Sequence, residues 1–326
     1  MTDQSTVRAG VVGAGSMGQN HARVYSELRT VDLVGVADHD PEVSRRVAAE
    51  HGTDAVSLEA LLERVDAVTV AVPTHAHAEV VSRCLEAGVD VLVEKPIAGS
   101  VAEGRALAEQ ARNAGRVLQV GHIERFNPAV GMLEDLIEDL DVIGIEAERL
   151  GPPINRDAPG DVVFDLMIHD VDVVGALLGR TPTSISAIEA ADGRYATATM
   201  EYGDIVATLT ASRVTQKKVR KLTVTARECL VEVDYLEQSV LIHRDSYPEY
   251  LTDDGQNRYR HESVVERPRI ATSEPLRCEL ESFVEAVRTG SEPEVTAEDG
   301  IAALETVQAI DSRLGRRRRE PEVNAR

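Results

Sequence analysis

The chain has 326 residues, enough to bury a large core and to form two domains, and its formal net charge of −21 would repel the phosphate backbone of a nucleic acid. It has no apolar run long enough to span a membrane and no basic-then-apolar leader, so the expected location is the cytoplasm, with no membrane partner. Cys84, Cys229 and Cys278 are odd in number and widely spaced, which reads as reduced thiols rather than a disulfide framework or a metal cluster.

The first apolar strand, Ala9–Val12, runs into a glycine turn with Gly13, Gly15 and Gly18 in G-x-G-x-x-G spacing. Gly13 permits the tight turn, Gly15 lets the backbone approach a pyrophosphate, and Gly18 lets the next helix pack against the sheet. Ser16 and Met17 open that helix, whose N-terminus offers N–H groups and a positive dipole end to phosphates. The next strand, Val31–Ala37, ends at Asp38, 20 residues beyond Gly18, where an acid would hydrogen-bond the adenosine ribose. A carboxylate there accepts from a 2′-hydroxyl and repels a 2′-phosphate, and His39 and Asp40 add no cation, so NAD is expected over NADP. The alternative is that Asp38 caps the helix beginning near Pro41, which Asp40 would do equally well.

Helical stretches at about 17–28, 41–51, 57–64 and 76–87 alternate with strands at 67–72 and 89–93, with Gly88 placed as a helix stop. A helix at 101–114 and a strand at 117–121 follow. The alternation predicts an α/β fold: a parallel, doubly wound Rossmann sheet over 1–121 that binds NAD. The pattern then changes. A helix at 128–140, a strand at 142–150 and a helix at 161–178 lead into a region from 184 to 267 rich in alternating Val, Thr, Leu, Ile and Tyr. That region predicts an antiparallel sheet with one wet face, closed by helices at 274–288 and 297–314. Residues 122–326 are accordingly expected to form an α+β domain for substrate binding and oligomerisation.

Three groups of residues carry candidate chemistry. Glu94-Lys95-Pro96 follows the fourth strand at its carboxyl end, the edge where open α/β sheets bind ligands. Asp165 and His169 lie four apart on a predicted helix, with Asp170 and Asp172 beside them, so a carboxylate and an imidazole would share one face. Either Asp165 orients a general base, His169, or the two are a plain surface pair; a metal site lacks a third ligand at matching spacing. Pro73, Thr74, His75 and His77 end the third strand and would cap or line the cofactor loop. No metal is expected there either.

Two charge features stand out. The only lysines are Lys95, Lys217, Lys218 and Lys221, so arginine supplies the other basic groups. High net charge destabilises a protein through self-repulsion unless salt screens it, which suggests a cytoplasm with molar salt; an acidic mesophilic protein is the less specific reading. The run Arg316–Arg319 reads as a solvated helix end, where cations suit the dipole.

Together, Gly13–Gly18, Asp38, the Val72–His77 loop, the Ala87–Pro96 run, Asp161–Asp172 and the Pro275–Gly290 helix resemble the Gfo/Idh/MocA oxidoreductase family over nearly the whole chain. The resemblance implies an N-terminal Rossmann domain and a C-terminal α/β domain whose open sheet often makes the oligomer interface, here a dimer or tetramer. It also implies catalytic roles for Lys95, Asp165 and His169. The segment Gly160-Asp161-Val162-Val163 is poorer in glycine than in many members, a departure at the loop before the catalytic helix. Within the family, Gly121–Pro128 is similar to the segment of enzymes acting on nucleotide sugars, including the 3-dehydrogenation of UDP-N-acetylglucosamine. His122, Arg125 and Asn127 would then bind substrate, with Arg125 pairing a diphosphate or else Glu124. The expected reaction is NAD-dependent oxidation of a ring secondary alcohol. A free sugar, sugar phosphate or inositol is the alternative substrate, and a non-catalytic NAD- and sugar-binding regulator is a second alternative.

Overall fold

The computed structural model describes residues 6–153, 161–245, 249–253, 256–260 and 263–314. The first part of the chain alternates β1 (Val7–Val12), α1 (Ser16–Glu27), β2 (Val31–Ala37), α2 (Pro41–His51), β3 (Asp54–Ala55), α3 (Leu58–Leu62), β4 (Ala67–Val70), α4 (His77–Glu86), β5 (Asp90–Glu94), α5 (Val101–Ala114) and β6 (Leu118–Gly121). The strands form one parallel sheet in the order β3-β2-β1-β4-β5-β6. Strands β4 and β5 are apolar along nearly their whole length because helices cover both faces. The two-residue β3 has no apolar run to announce it; it exists because Asp54 and Ala55 fall beside Gly35 and Val36. The strand order reverses between β1 and β4, which opens a crevice between the loops that leave their carboxyl ends.

Beyond β6 come α6 (Pro128–Ile137), β7 (Val142–Leu150), a wide π-helical turn at Val163–Met167 and α7 (Ile168–Leu178). The chain then runs through β8 (Ser184–Ala190), β9 (Tyr195–Tyr202), β10 (Ile205–Ser212), β11 (Val219–Ala226), β12 (Leu230–Asp234), β13 (Ser239–Asp245), the hairpin β14 (Glu249–Asp253) and β15 (Gln256–Arg260), and β16 (Ser263–Glu266). Seven of these strands join β7 in an eight-stranded sheet, β16-β13-β12-β11-β7-β10-β9-β8. It is antiparallel apart from the β7–β10 pair. One face of this sheet (Ile145, Ala147, Ala198, Leu209, Leu222, Val224) is buried, and the other is rich in threonine, including Thr197, Thr199, Thr208, Thr210 and Thr223.

The closing helices tie the two sheets together. On α8 (Pro275–Thr289), Leu276, Leu280, Phe283 and Val284 pack into the same apolar cluster as Val7, Val11 and Leu92 of the parallel sheet and Tyr25 of α1. On α9 (Ala297–Arg313), Gly300 lies so close to β6 that a Cβ there would sit 2.7 Å from Val120 Cγ2. The expected arginine helix end at Arg316–Arg319 lies outside the described residues, as does Gly160.

Candidate active site

Gly13 has φ +95°, and a Cβ on it would stand 2.7 Å from the backbone of Ala71. A Cβ on Gly18 would lie 1.7 Å from the Gly13 carbonyl oxygen, so only glycine lets α1 sit this close to the strand it follows. Gly15 differs: nothing lies within 4 Å of its Cβ position. It begins α1, which has no side-chain cap and no acidic residue in its first turn, where Ser16 and Met17 lie. An open glycine beside an uncapped helix N-terminus is a cradle that fits a pyrophosphate.

Asp38 ends β2 with its side chain only 9% exposed. Its oxygens accept from the Ala14 N–H at 2.6 Å and the Asp40 N–H at 2.8 Å. The cap of α2 is Asp40, which accepts from Glu42 and Val43. Asp38 is therefore not a helix cap. It is held against the glycine turn, and the exposed His39 ring lies 2.9 Å from its Oδ1. Across the crevice Pro73 and Thr74 lead into a 3₁₀ turn, Thr74–Ala76. His77 is buried, with Nδ1 at 2.8 Å from the Pro96 carbonyl and Nε2 at 2.9 Å from the Val72 carbonyl. It braces the two loops from behind, while His75 is exposed.

Glu94 ends β5 and pairs with the buried His21 of α1 at 2.8 Å. Behind it Glu279 of α8 is fully buried with neither oxygen hydrogen-bonded, and burial together with the Glu94 charge pushes its carboxyl well above the usual range. Sequence reasoning did not see this cluster, since nothing in the chain links His21, Glu94 and Glu279 before folding.

Lys95 reaches across to the second sheet's side of the cleft. Its Nζ donates to the Asp165 carbonyl at 2.7 Å and lies 3.2 Å from Asp165 Oδ1. The other carboxylate oxygen of Asp165 accepts from Arg213, which sits just past the end of β10. Asp165 belongs to the π-helical turn, so it and His169 are not the regular i, i+4 pair expected from spacing. The widened turn presents the Asp165 main-chain oxygen and side chain together to Lys95. His169 is on the first turn of α7, partly buried, with a buried Nδ1 that has no partner. Burial, then the charges of Lys95 and Arg149, holds its imidazole well below the ordinary histidine value, so the ring is neutral near pH 7.

The segment after β6 lies deeper than expected. His122 is 1% exposed, 3.9 Å from Asp172, and burial pushes its imidazole down to about 3. Arg125 is not paired with Glu124. It lies 3.4 Å from Glu134 and 3.9 Å from Asp172, and its side chain is 11% exposed. Glu124 instead meets the buried Arg149 at 2.6 Å, and Arg149 also grips Asp170 with two bonds of 2.8 Å. Asn127 caps α6 by accepting from Ala129 and donates to the Tyr235 carbonyl at 3.1 Å. These residues fasten α6, α7 and the second sheet to one another beneath His169. Arg213 and Arg149 escaped the sequence reading. The signal for Arg213 was the basic stretch that follows it in a chain otherwise poor in lysine.

Residues 7–122 match the family described as "Oxidoreductase family, NAD-binding Rossmann fold", and residues 155–312 match "Oxidoreductase family, C-terminal alpha/beta domain". The chain is 35% identical over 289 residues to UDP-N-acetylglucosamine 3-dehydrogenase from Acidithiobacillus ferrooxidans, covering 86% of this chain and 88% of that one. A solved structure of that dehydrogenase superposes with a TM-score of 0.87 at 31% identity, over 95% of this chain and 97% of the other. Inositol 2-dehydrogenase from Rhizobium meliloti is 28% identical over 325 residues, covering 93% of this chain and 96% of that one. Among the described residues no helix is long and apolar enough to cross a membrane. The chain belongs to the Gfo/Idh/MocA family of oxidoreductases and carries that family's NAD-binding Rossmann domain.

Proposed function

We propose that this protein oxidises a ring secondary hydroxyl of a nucleotide sugar, with C3 of UDP-N-acetylglucosamine as the first candidate. The observation that carries the reading is the convergence of Lys95, Asp165 and a neutral His169 where the two sheets meet, beside the glycine turn. The similarity to UDP-N-acetylglucosamine 3-dehydrogenase supports the substrate class.

The first turn of α1 with Gly15, Ser16 and Met17 would hold the NAD pyrophosphate, and Asp38 the adenosine ribose. Pro73, Thr74, Glu94 and Lys95 would border the rest of the cofactor. NAD supplies the acceptor for the hydride. The protein's task is then the proton and the charge on oxygen. His169 removes the hydroxyl proton, which requires the neutral ring that burial and the Lys95 charge enforce. Lys95 donates to the same oxygen and stabilises the alkoxide as it forms. Asp165, fixed by Arg213, holds the ammonium in place through two oxygens, so little reorganisation accompanies the reaction. His122, Arg125 and Asn127 support this arrangement from beneath. We also propose a division near residue 121 between cofactor-binding and substrate-binding parts, and self-association through the threonine-rich open face of the second sheet into a dimer or tetramer, which light scattering would test.

The test is reduction of NAD followed at 340 nm with UDP-N-acetylglucosamine, inositol, glucose and glucose 6-phosphate, in about 2–3 M KCl to screen the chain's self-repulsion. Turnover confined to the UDP-sugar supports the reading. Turnover with a free polyol alone discards the substrate and leaves the proton chemistry in place. NADH binding without turnover of any of them favours a regulator.

A further inference from the structure

The four lysines of this chain are not scattered: one is Lys95, and the other three fall in residues 213–221, Arg-Val-Thr-Gln-Lys-Lys-Val-Arg-Lys. This stretch joins β10 to β11 at the end of the second sheet that holds Arg213 against Asp165. Ser212 and Val219 flank Leu150 from opposite sides, so the two ends of the turn stand two strand spacings apart, roughly 10 Å. The turn therefore borders the catalytic cleft.

Its charges are arranged in an informative way. Lys217 and Lys218 are exposed, with no ion pair among the described residues. Arg220 points to the buried side of the sheet, opposite Arg149, and donates to the Leu150 and Val219 carbonyls at 2.7 and 2.8 Å. It is partly buried, and no carboxylate of the described residues lies within 4 Å of its guanidinium. Burial and the Arg149 charge pull its pKa below the ordinary arginine value, and the more distant carboxylates Asp170 and Glu124 offset them only in part. A half-buried guanidinium whose surroundings leave its charge incompletely offset favours a further anion beside it. Lys221 is different: it lies on the outer face, between Glu148 and Asp234 in the strand register.

We propose that Lys217, Lys218 and Arg220 form the subsite for the diphosphate of a nucleoside diphosphate sugar, with Arg213 anchoring their turn to Asp165. The proposal rests on the nucleotide-sugar reading above. A chain of net charge −21 repels a dianionic substrate at long range, so binding one requires a local reversal of sign, and a cluster at the cleft edge supplies it. Arginine adds bidentate recognition of phosphate oxygens. A diphosphate on the anomeric carbon lies close to the reacting carbon, and Arg213 at the start of this turn is tied to Lys95 through Asp165. Arg125, the residue expected from sequence to meet a diphosphate, is already faced by Glu134.

The test uses the full chain saturated with NADH, in the lowest KCl concentration at which it stays folded. UDP and UDP-N-acetylglucosamine are titrated by calorimetry into wild type, the double variant Lys217→Gln/Lys218→Gln, Arg220→Gln, and Lys221→Gln. The exposed lysines can be replaced without disturbing the core. We expect at least tenfold weaker binding of both ligands in the double variant and in Arg220→Gln, a shallower salt dependence in the double variant, and unchanged NADH affinity. Lys221→Gln should bind like wild type, because it removes the same charge from the opposite face. Equal UDP affinity in wild type and the double variant overturns the subsite, as does an equal loss in Lys221→Gln. Glucose 6-phosphate is titrated alongside as a monophosphate control, and a response of it, rather than of UDP, to the substitutions overturns the diphosphate assignment. If UDP binding depends on these residues but UDP-N-acetylglucosamine is not oxidised, the subsite stands and the proposed substrate falls. If the UDP-sugar is oxidised with the same KM by wild type and the double variant, the function stands and the subsite falls.

Discussion

Two glycines three residues apart should respond to alanine in opposite ways. At Gly15 an added methyl meets no protein atom within 4 Å, and its backbone angles, φ −68° and ψ −166°, suit alanine. Alanine is a poorer helix N-cap than glycine by up to about 1 kcal/mol. It also loses less chain entropy on folding, worth about 0.4–1 kcal/mol in the other direction. The two nearly cancel, so Gly15→Ala should leave Tm within about 4 °C of wild type. The methyl does, however, fill the path by which a phosphate would reach the first N–H groups of α1. Loss of one charge-assisted hydrogen bond, about 1.5–3 kcal/mol, corresponds to a Kd for NADH raised about 10- to 150-fold. At Gly18 the methyl would sit 1.7 Å from the Gly13 oxygen and 2.8 Å from its carbon, both backbone atoms. There the turn itself must shift, and Gly18→Ala should lose Tm and NADH affinity together, with about 1–3 kcal/mol of stability gone. Fluorescence titration of NADH and thermal unfolding on the same samples check both. Wild-type NADH affinity in Gly15→Ala would refute the assignment of this turn to the pyrophosphate, and an unchanged Tm in Gly18→Ala would refute the close approach of α1 to the turn.

Lys95→Ala and His169→Ala should each lower kcat at least a hundredfold with NADH binding largely kept; near-normal turnover in either removes that residue from the mechanism. Because burial and the Lys95 charge depress His169, the acidic fall of kcat/KM in the oxidative direction should lie well below pH 6.5, and a midpoint at or above that value would contradict a buried base. Asp172 is fully buried on α7, and burial pushes its carboxyl up to about 8. The folded state then keeps a proton that the unfolded chain has released, so stability falls as pH rises from the ordinary carboxyl range to about 8 and levels off above it. Asp172→Asn should flatten that part of the Tm–pH curve, and an identical slope in the variant would place the titration elsewhere. If the excess negative charge is an adaptation to salt, Tm should climb steeply between about 0.1 M and 2 M KCl as the Debye length shrinks from about 10 Å to below 3 Å; stability that is full in dilute buffer ends that idea.

What the sequence made legible was what depends on local chemistry. The alternation of apolar strands with helices announced the parallel sheet, the G-x-G-x-x-G spacing its first turn, and the valine- and threonine-rich stretches the second sheet. Contacts between distant segments were not legible. Asp165 and His169 were expected to share a helical face at regular spacing. The fold opens that turn into a π-helix and brings Lys95 to the Asp165 carbonyl from 70 residues away. Asp38 and Asp40 were interchangeable on paper. Only the Ala14 N–H, supplied by a different loop, decides which of them faces the glycine turn and which caps α2. Arg125 looked available to an anion because Glu134 and Asp172, the carboxylates that meet it, lie on separate helices. The basic stretch after β10 is the opposite case. Its composition was plain in a chain with four lysines, but its meaning depended on Arg213 reaching Asp165, which places the stretch at the mouth of the cleft rather than on an arbitrary surface. In a strongly acidic protein the positions where positive charge is kept, like those where it is buried, deserve the same scrutiny as a glycine motif, because each is held there against the field of the whole chain.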